Sequence, residues 1–385
     1  MKLNKWTLGL AAVGAVSLAS TMTAKADSNN LSPVQSAIQG LIISGYIDTS
    51  IEYGLSPCGN DYEDSPMMAI PFRGYNNYDK QNGFNLNVVQ LNFEKPLDEA
   101  EYASGGKVSL LYGPDAVGYN PSSNADSDSD FGIKQAYVNL RFPVGNGLEA
   151  KIGVFDTIIG YEVFEAGNNP NFTRSWGYWV EPTQHTGVLL AYRFSELVGV
   201  QGGIANTTYG GINARKGDDL EDFYCKTFMG SVQLTAPDSM GFLAGSSLYT
   251  GVVSGGAAGS GDNTFNYYAG VVANTPIADL TVGAAFDYAR WTDSGDKDEH
   301  YVIGLYASFK ATEKLSFHGR GEYGWWEYDP DGGSSSDGCY YGLTGTVQYD
   351  LFANVISRLE IRAEFDDEYS EECGVGLFAN IIYTF

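Results

Sequence analysis

Basic residues are scarce in this sequence: 22 Lys and Arg stand against 47 Asp and Glu, a formal charge of −25 over 385 residues. Binding to a phosphate backbone needs a basic surface, so nucleic-acid binding is excluded as the main task. Long apolar runs are also missing. No stretch of 18 or more apolar residues occurs, which excludes helical membrane spans. The three histidines (His185, His300, His318) and four cysteines (Cys58, Cys225, Cys339, Cys373) follow no zinc-binding spacing. Walker, dinucleotide-fold and His-Glu-x-x-His motifs are absent, so the sequence assigns no metal ligand and no cofactor. These absences do not exclude a membrane β-barrel. Its strands alternate lipid-facing and lumen-facing residues, which averages the hydropathy to near neutral.

Glycine, tyrosine and phenylalanine are plentiful, at 48, 27 and 20. This aromatic content argues against a disordered chain. The first residues, MKLNKWTLGLAAVGAVSLASTMTAKADSNN, read as a secretory signal. Lys2 and Lys5 form the positive end, Leu8 to Leu18 the apolar stretch, and Ala24-Lys25-Ala26 the small-x-small cleavage site. Residues 1–26 are therefore expected to be removed, leaving a single domain over 27–385. Export permits disulfides. Cys339 and Cys373 flank one strand at the same end and form the favoured pair, with Cys58 and Cys225 as a second candidate pair; four free thiols are the alternative.

The organising signal is a period of two. In LIISGYIDTSIEY, Ile43, Ile47, Ile51 and Tyr53 share one parity, and Ser44, Tyr46, Asp48, Ser50 and Glu52 the other. Val375, Leu377, Ala379, Ile381, Tyr383 and Phe385 repeat the pattern near the C-terminus. Successive strand residues point to opposite faces, so each segment has one apolar face and one mostly polar or small face. Sixteen such strands are predicted, near 41–53, 84–95, 105–113, 132–142, 148–156, 186–194, 198–206, 224–234, 242–252, 264–274, 279–291, 300–310, 314–325, 339–350, 355–366 and 373–385. Short turns such as FPVGNG, TAPDSMG and KATEK alternate with longer acidic loops at 54–83, 114–131, 157–185, 207–223, 253–263, 292–299, 326–338 and 367–372. An even count of long strands, joined alternately by short turns and long loops, predicts an all-β, antiparallel transmembrane barrel. Apolar-parity positions end in aromatics at the turn side (Phe93, Phe142, Phe194, Phe309, Tyr349, Tyr383, Phe385), which reads as an interfacial girdle. A soluble sandwich or propeller also repeats strands, but with shorter ones. Two places strain the scheme. Lys134 and Lys226 fall on the lipid parity, and strand 84–95 keeps its parity only with a bulge near Val88.

At this point the chain resembles the Gram-negative outer-membrane porins, most closely the OmpL-like β-barrel porins. The resemblance lies in SGYIDTSIEY, GFNLNVVQLNFEKPLD, FGIKQAYVNLRFPVGNGLEAKIGVFDTIIGYE, NPNFTRSWGYWVEPTQHTGVLLAYRF and the terminal Phe385. It implies residence in the outer membrane among lipid and lipopolysaccharide, diffusion of ions and small hydrophilic solutes through a water-filled lumen, and an oligomer, with a homotrimer as the candidate.

Lys107, Arg141, Lys151, Arg193, Lys310, His318, Arg320, Arg358 and Arg362 fall on the lumen parity, with Asp48, Glu52, Glu149, Asp287, Glu322, Glu360 and Glu364. Charges facing inward demand water, because isolated buried charges are too costly; pairing across neighbouring strands is the alternative. Loop 157–185 carries Glu162, Glu165, Arg174 and Glu181 among Tyr161, Phe164, Phe172, Trp176, Tyr178 and Trp179. The porin resemblance implies that this third loop folds inward, with Glu162 and Glu165 facing a basic wall that includes Lys151, Arg320 and Arg362. Folding over the mouth or against a neighbouring subunit is the alternative. Acidic runs (Asp126, Asp128, Asp130; Asp218, Asp219, Glu221, Asp222; Asp366, Asp367, Glu368, Glu371, Glu372) offer oxygen ligands for Ca2+ or Mg2+ without EF-hand spacing, or stay solvated. Two other function classes remain: a structural or adhesive barrel without conductance, and a lipid-modifying enzyme. The second needs a His and a Ser two apart on one strand, and Gly187, Val302 and Arg320 stand where that Ser would be.

Overall fold

Period-two alternation over long segments leaves one apolar and one polar face per strand, and only closure of the sheet removes its unpaired edges. The chain folds accordingly. The computed structural model describes residues 40–55, 80, 82–116, 119, 130–214, 226–257, 263–293, 295–366 and 370–385. Its sixteen strands begin with β1 (Ile42–Gly54), β2 (Gly83–Lys95), β3 (Ser104–Tyr112), β4 (Phe131–Phe142), β5 (Leu148–Asp156), β6 (Gln184–Arg193), β7 (Val198–Ala205) and β8 (Thr227–Thr235). They continue with β9 (Ser247–Gly256), β10 (Asn263–Asn274), β11 (Leu280–Asp293), β12 (Asp296–Lys310), β13 (Leu315–Asp329), β14 (Ser336–Phe352), β15 (Val355–Asp366) and β16 (Ser370–Thr384). Each pairs antiparallel with its sequence neighbours, and β1 pairs with β16 to close the barrel.

The barrel is inside-out relative to a soluble protein. Leu305, Leu343 and Ile361 point outward and are half or more exposed, while Asp48, Asp287, Arg320, Glu360 and Arg362 are buried on the inner face. The turn-side girdle stands as expected at Phe142, Phe194, Phe309, Tyr349, Tyr383 and Phe385, all exposed. At the opposite end a second outward row of rings appears, with Tyr301 stacked on Trp325 at 4.7 Å.

Two bulges settle the strained registers. In β2, Asp48 of β1 opposes Val88 and the next residue, Thr49, opposes Leu86, so Asn87 is the extra residue. Asn87 and Val88 both turn inward, which leaves Phe84 and Leu86 on the outer face before the bulge and Leu91 on it afterwards. In β4, Ser109 of β3 opposes Gln135 and Leu110 opposes Ile133, so Lys134 is skipped. The lipid-facing parity assigned to Lys134 is thereby corrected. The bulge turns its ammonium into the barrel, where the Asp156 and Glu165 carboxylates receive it. Lys226 precedes β8 and donates to Asn206 Oδ1 at 3.1 Å.

Two connections also differ from expectation. The loop predicted at 292–299 is a tight hairpin: Asp293 opposes Asp296, and Gly295 takes the left-handed φ of 111°. The turn read as TAPDSMG is longer and contains a 3-10 helix, Asp238–Leu243, so β9 starts at Ser247 rather than near 242. A proline followed by small residues reads as a tight turn, but Gly241 at φ 64° lets the chain make a second bend before pairing resumes.

Candidate functional site

Segment 157–183 joins β5 to β6 and lies against inner-face residues from several walls of the barrel. Its own order comes first. Asn169 braces a sub-loop, accepting from Val163 N at 2.9 Å and donating to Val163 O at 2.6 Å. Arg174 is buried and donates to Phe172 O (2.9 Å) and Phe164 O (2.8 Å). The short helix α1 (Trp176–Val180) starts at Ser175, whose hydroxyl accepts from Tyr178 N as an N-cap.

The wall of β13–β15 grips this segment. Glu360 accepts from Phe172 N (2.6 Å), Thr173 N (2.8 Å) and Thr173 Oγ1 (2.5 Å). Glu322 accepts from Trp176 N at 2.6 Å. Arg320 donates to Glu162 (2.7 Å), Glu322 (2.8 Å) and Thr173 O (2.7 Å). Arg358 donates to Ala166 O (2.8 Å) and Asn169 O (2.6 Å), and Arg362 to Arg174 O. Here carboxylates receive backbone N–H groups that a loop leaves unpaired, and guanidinium groups receive its carbonyls. Charge-assisted bonds of this kind are stronger than neutral ones. The Arg320, Glu162 and Glu322 side chains are wholly shielded from solvent.

Two other walls touch the same segment. Toward β9–β12, Tyr161 stacks on Tyr306 at 3.8 Å, Tyr249 donates to Ile158 O, and Asn266 donates to Val180 O at 2.9 Å. The Glu181 carboxyl shares a hydrogen bond with Asp287 of β11; burial, reinforced by Asp287, pushes Glu181 well above the usual carboxylate range. Toward β2–β4, Glu165 accepts from Gln90 (3.1 Å) and pairs with Lys134 (3.1 Å), which also pairs with Asp156. Burial alone would raise Glu165, but the charge of Lys134, then that of Lys107, outweighs it and holds the carboxyl down to about 2.

The sequence-selected residues therefore separate into groups. Glu162 meets Arg320 directly, and Arg358 and Arg362 meet the backbone of segment 157–183. Glu165 pairs with Lys134 rather than with Lys151, Arg320 or Arg362. Lys151 lies on β5, its ammonium 5.1 Å from the centroid of the Tyr137 ring. His318 is buried on β13, with Nδ1 2.9 Å from Ser308 Oγ. Cys339 is half-buried on β14 opposite Trp325. Cys58 and Cys225, and the side chain of Cys373, lie outside the described residues, as do most of the acidic loop runs.

Asp156 and Thr173 carry no signal in the sequence, Lys134 only its conflict with the lipid parity, and Asp287 only its lumen parity, which Glu322 and Glu360 share. The last two had a legible signal. Arg358, Glu360, Arg362 and Glu364 alternate in sign at every second residue of β15, as Arg320 and Glu322 do on β13. The inward turn of Lys134 had none, because its bulge is set by pairing with β3.

Residues 40–375 match the family described as "Putative beta-barrel porin-2, OmpL-like". The chain belongs to this family. No curated protein sequence matches it. Among solved structures, it resembles an anion-selective porin from Comamonas acidovorans, with 12% identity, TM-score 0.58 and coverage of 90% of this chain and 99% of that one. The outer-membrane channel DcaP of Acinetobacter baumannii gives 12% identity, TM-score 0.58 and coverage of 90% and 97%. The trimer form of OmpT from Vibrio cholerae gives 12%, 0.57, and 90% and 99%. At such identity these likenesses speak for the fold. Family and closed barrel together place the protein in the outer membrane as a porin.

Proposed function

We propose that this porin lets ions and small hydrophilic solutes diffuse passively through a water-filled lumen narrowed by segment 157–183, and that it performs no catalysis. The observation that carries the reading is the inner face itself. Glu94, Lys107, Arg141, Asp156 and Glu165 line β2–β5 and the facing edge of the segment, all with partly exposed side chains. Partly exposed charges inside a barrel require water around them. The packed network on β13–β15 serves as the anchor that holds the segment in place. On this reading Glu165, rather than the sealed Glu162, contributes to the field across the narrow zone. A homotrimer is part of the proposal.

The test is reconstitution in planar bilayers. Wild-type protein should give discrete conductance steps, and deletion of residues 163–173 should enlarge them. A correctly inserted barrel without conductance would instead leave a structural role in the envelope.

A further inference from the structure

Opposite the sealed β13–β15 network, Lys107 and Lys151 lie on the inner face of β3 and β5. Lys107 of β3, Tyr137 of β4 and Gly153 of β5 stand in one row of the inner face, and Asn139, Lys151 and Leu189 in the next. The outward-pointing neighbours Val108, Val138 and Ile152 are exposed, which fixes this row as inward. Gly153 opposes Gly187 of β6, so two consecutive strands present no side chain beside Tyr137. The Lys151 ammonium stands 5.1 Å from the Tyr137 ring centroid.

The surrounding charges are Glu94, Glu149, Asp156, Glu165, Lys107, Lys134 and Arg141. Most of them are already engaged. Arg141 holds Glu149 at 2.8 Å, and Lys134 holds both Asp156 and Glu165. Lys107 has Glu94 at 3.8 Å, with both side chains partly exposed. Among the described residues, no carboxylate lies within ion-pair distance of Lys151. A ring face attracts an ammonium without consuming its N–H donors, so those donors remain for a solute.

We infer that Lys151 and Lys107, flanking Tyr137, form a lumenal subsite for small anions, namely inorganic anions and carboxylates. The inference rests on the channel reading above and adds its substrate class. It gives the chain's −25 charge a local exception at the narrow zone, where an anion exchanges water for two ammonium groups without meeting an unpaired carboxylate.

Reversal potentials under a KCl gradient test it. The chloride-to-potassium permeability ratio should fall at least about threefold in Lys151→Gln and further in the double variant with Lys107→Gln. Lys151→Arg should keep the wild-type ratio, as should Lys95→Gln at the exposed end of β2. Should Lys151→Gln fail to assemble, Lys107→Gln carries the same comparison. Channels that conduct with an unchanged ratio in these variants would overturn the anion subsite and leave the channel reading standing. Absence of conductance in the wild type would remove both.

Discussion

Arg320 shows how single residues are used inside this barrel. It donates to two carboxylates, Glu162 and Glu322, and to the backbone of segment 157–183, and none of these side chains reaches solvent. Removing the cation leaves two buried carboxylates facing each other. Arg320→Met should therefore destabilise the protein by about 3–5 kcal/mol, measured by urea unfolding in detergent. A loss below about 1 kcal/mol would mean that the pairing is solvated after all. Glu165 behaves differently because Lys134 keeps it ionised. Its carboxyl sits at about 2, below the unfolded value of about 4.3, so its stabilising effect is present above the unfolded value and fades only as pH falls through about 2. The selectivity difference between wild type and Glu165→Gln should therefore be the same at about pH 7 and about pH 4. A difference that vanishes at the lower pH would contradict the pairing with Lys134.

At the scale of elements, the two bulges look alike in register but differ in consequence. Asn87 adds one residue to β2 and accepts a hydrogen bond from Ser50 at 3.0 Å. Deleting it restores strict alternation, with Leu86 still outward and Val88 still inward. Deleting Lys134 also restores alternation in β4, but removes the cation that Asp156 and Glu165 share. The Asn87 deletion should assemble with nearly normal yield and the Lys134 deletion should not, as read by heat-modifiable gel mobility. Equal yields would show that register alone governs assembly. The pair also marks how far the sequence could be read. The bulge near Val88 was legible because apolar parity breaks there within one strand. The one at Lys134 was not, because a lysine near a strand end satisfies either parity.

For the molecule as a whole, stability comes from an apolar exterior and a polar interior, so the usual rule for substitutions is reversed. Leu343 lies near the middle of β14 and points outward. Leu343→Arg should cost about 2–4 kcal/mol on insertion into a bilayer, measured by urea titration in vesicles. The same change in detergent micelles should cost less, since headgroups lie closer there. Equal costs would argue against a midplane position.

The sequence by itself determined the sixteen strands, the antiparallel barrel and the inward parity of Arg320, Arg358, Arg362 and Glu360, because a side-chain period of two is a local property that any long strand displays. It also flagged segment 157–185, since a solvated loop has no use for six aromatic rings. Only the tertiary structure decided which charges meet. Glu162 and Arg320 are 158 residues apart, and Phe172 and Glu360 are 188 apart. Such partners are chosen by the path of a connection across the barrel, and by bulges whose position depends on the neighbouring strand. Neither leaves a period in the chain.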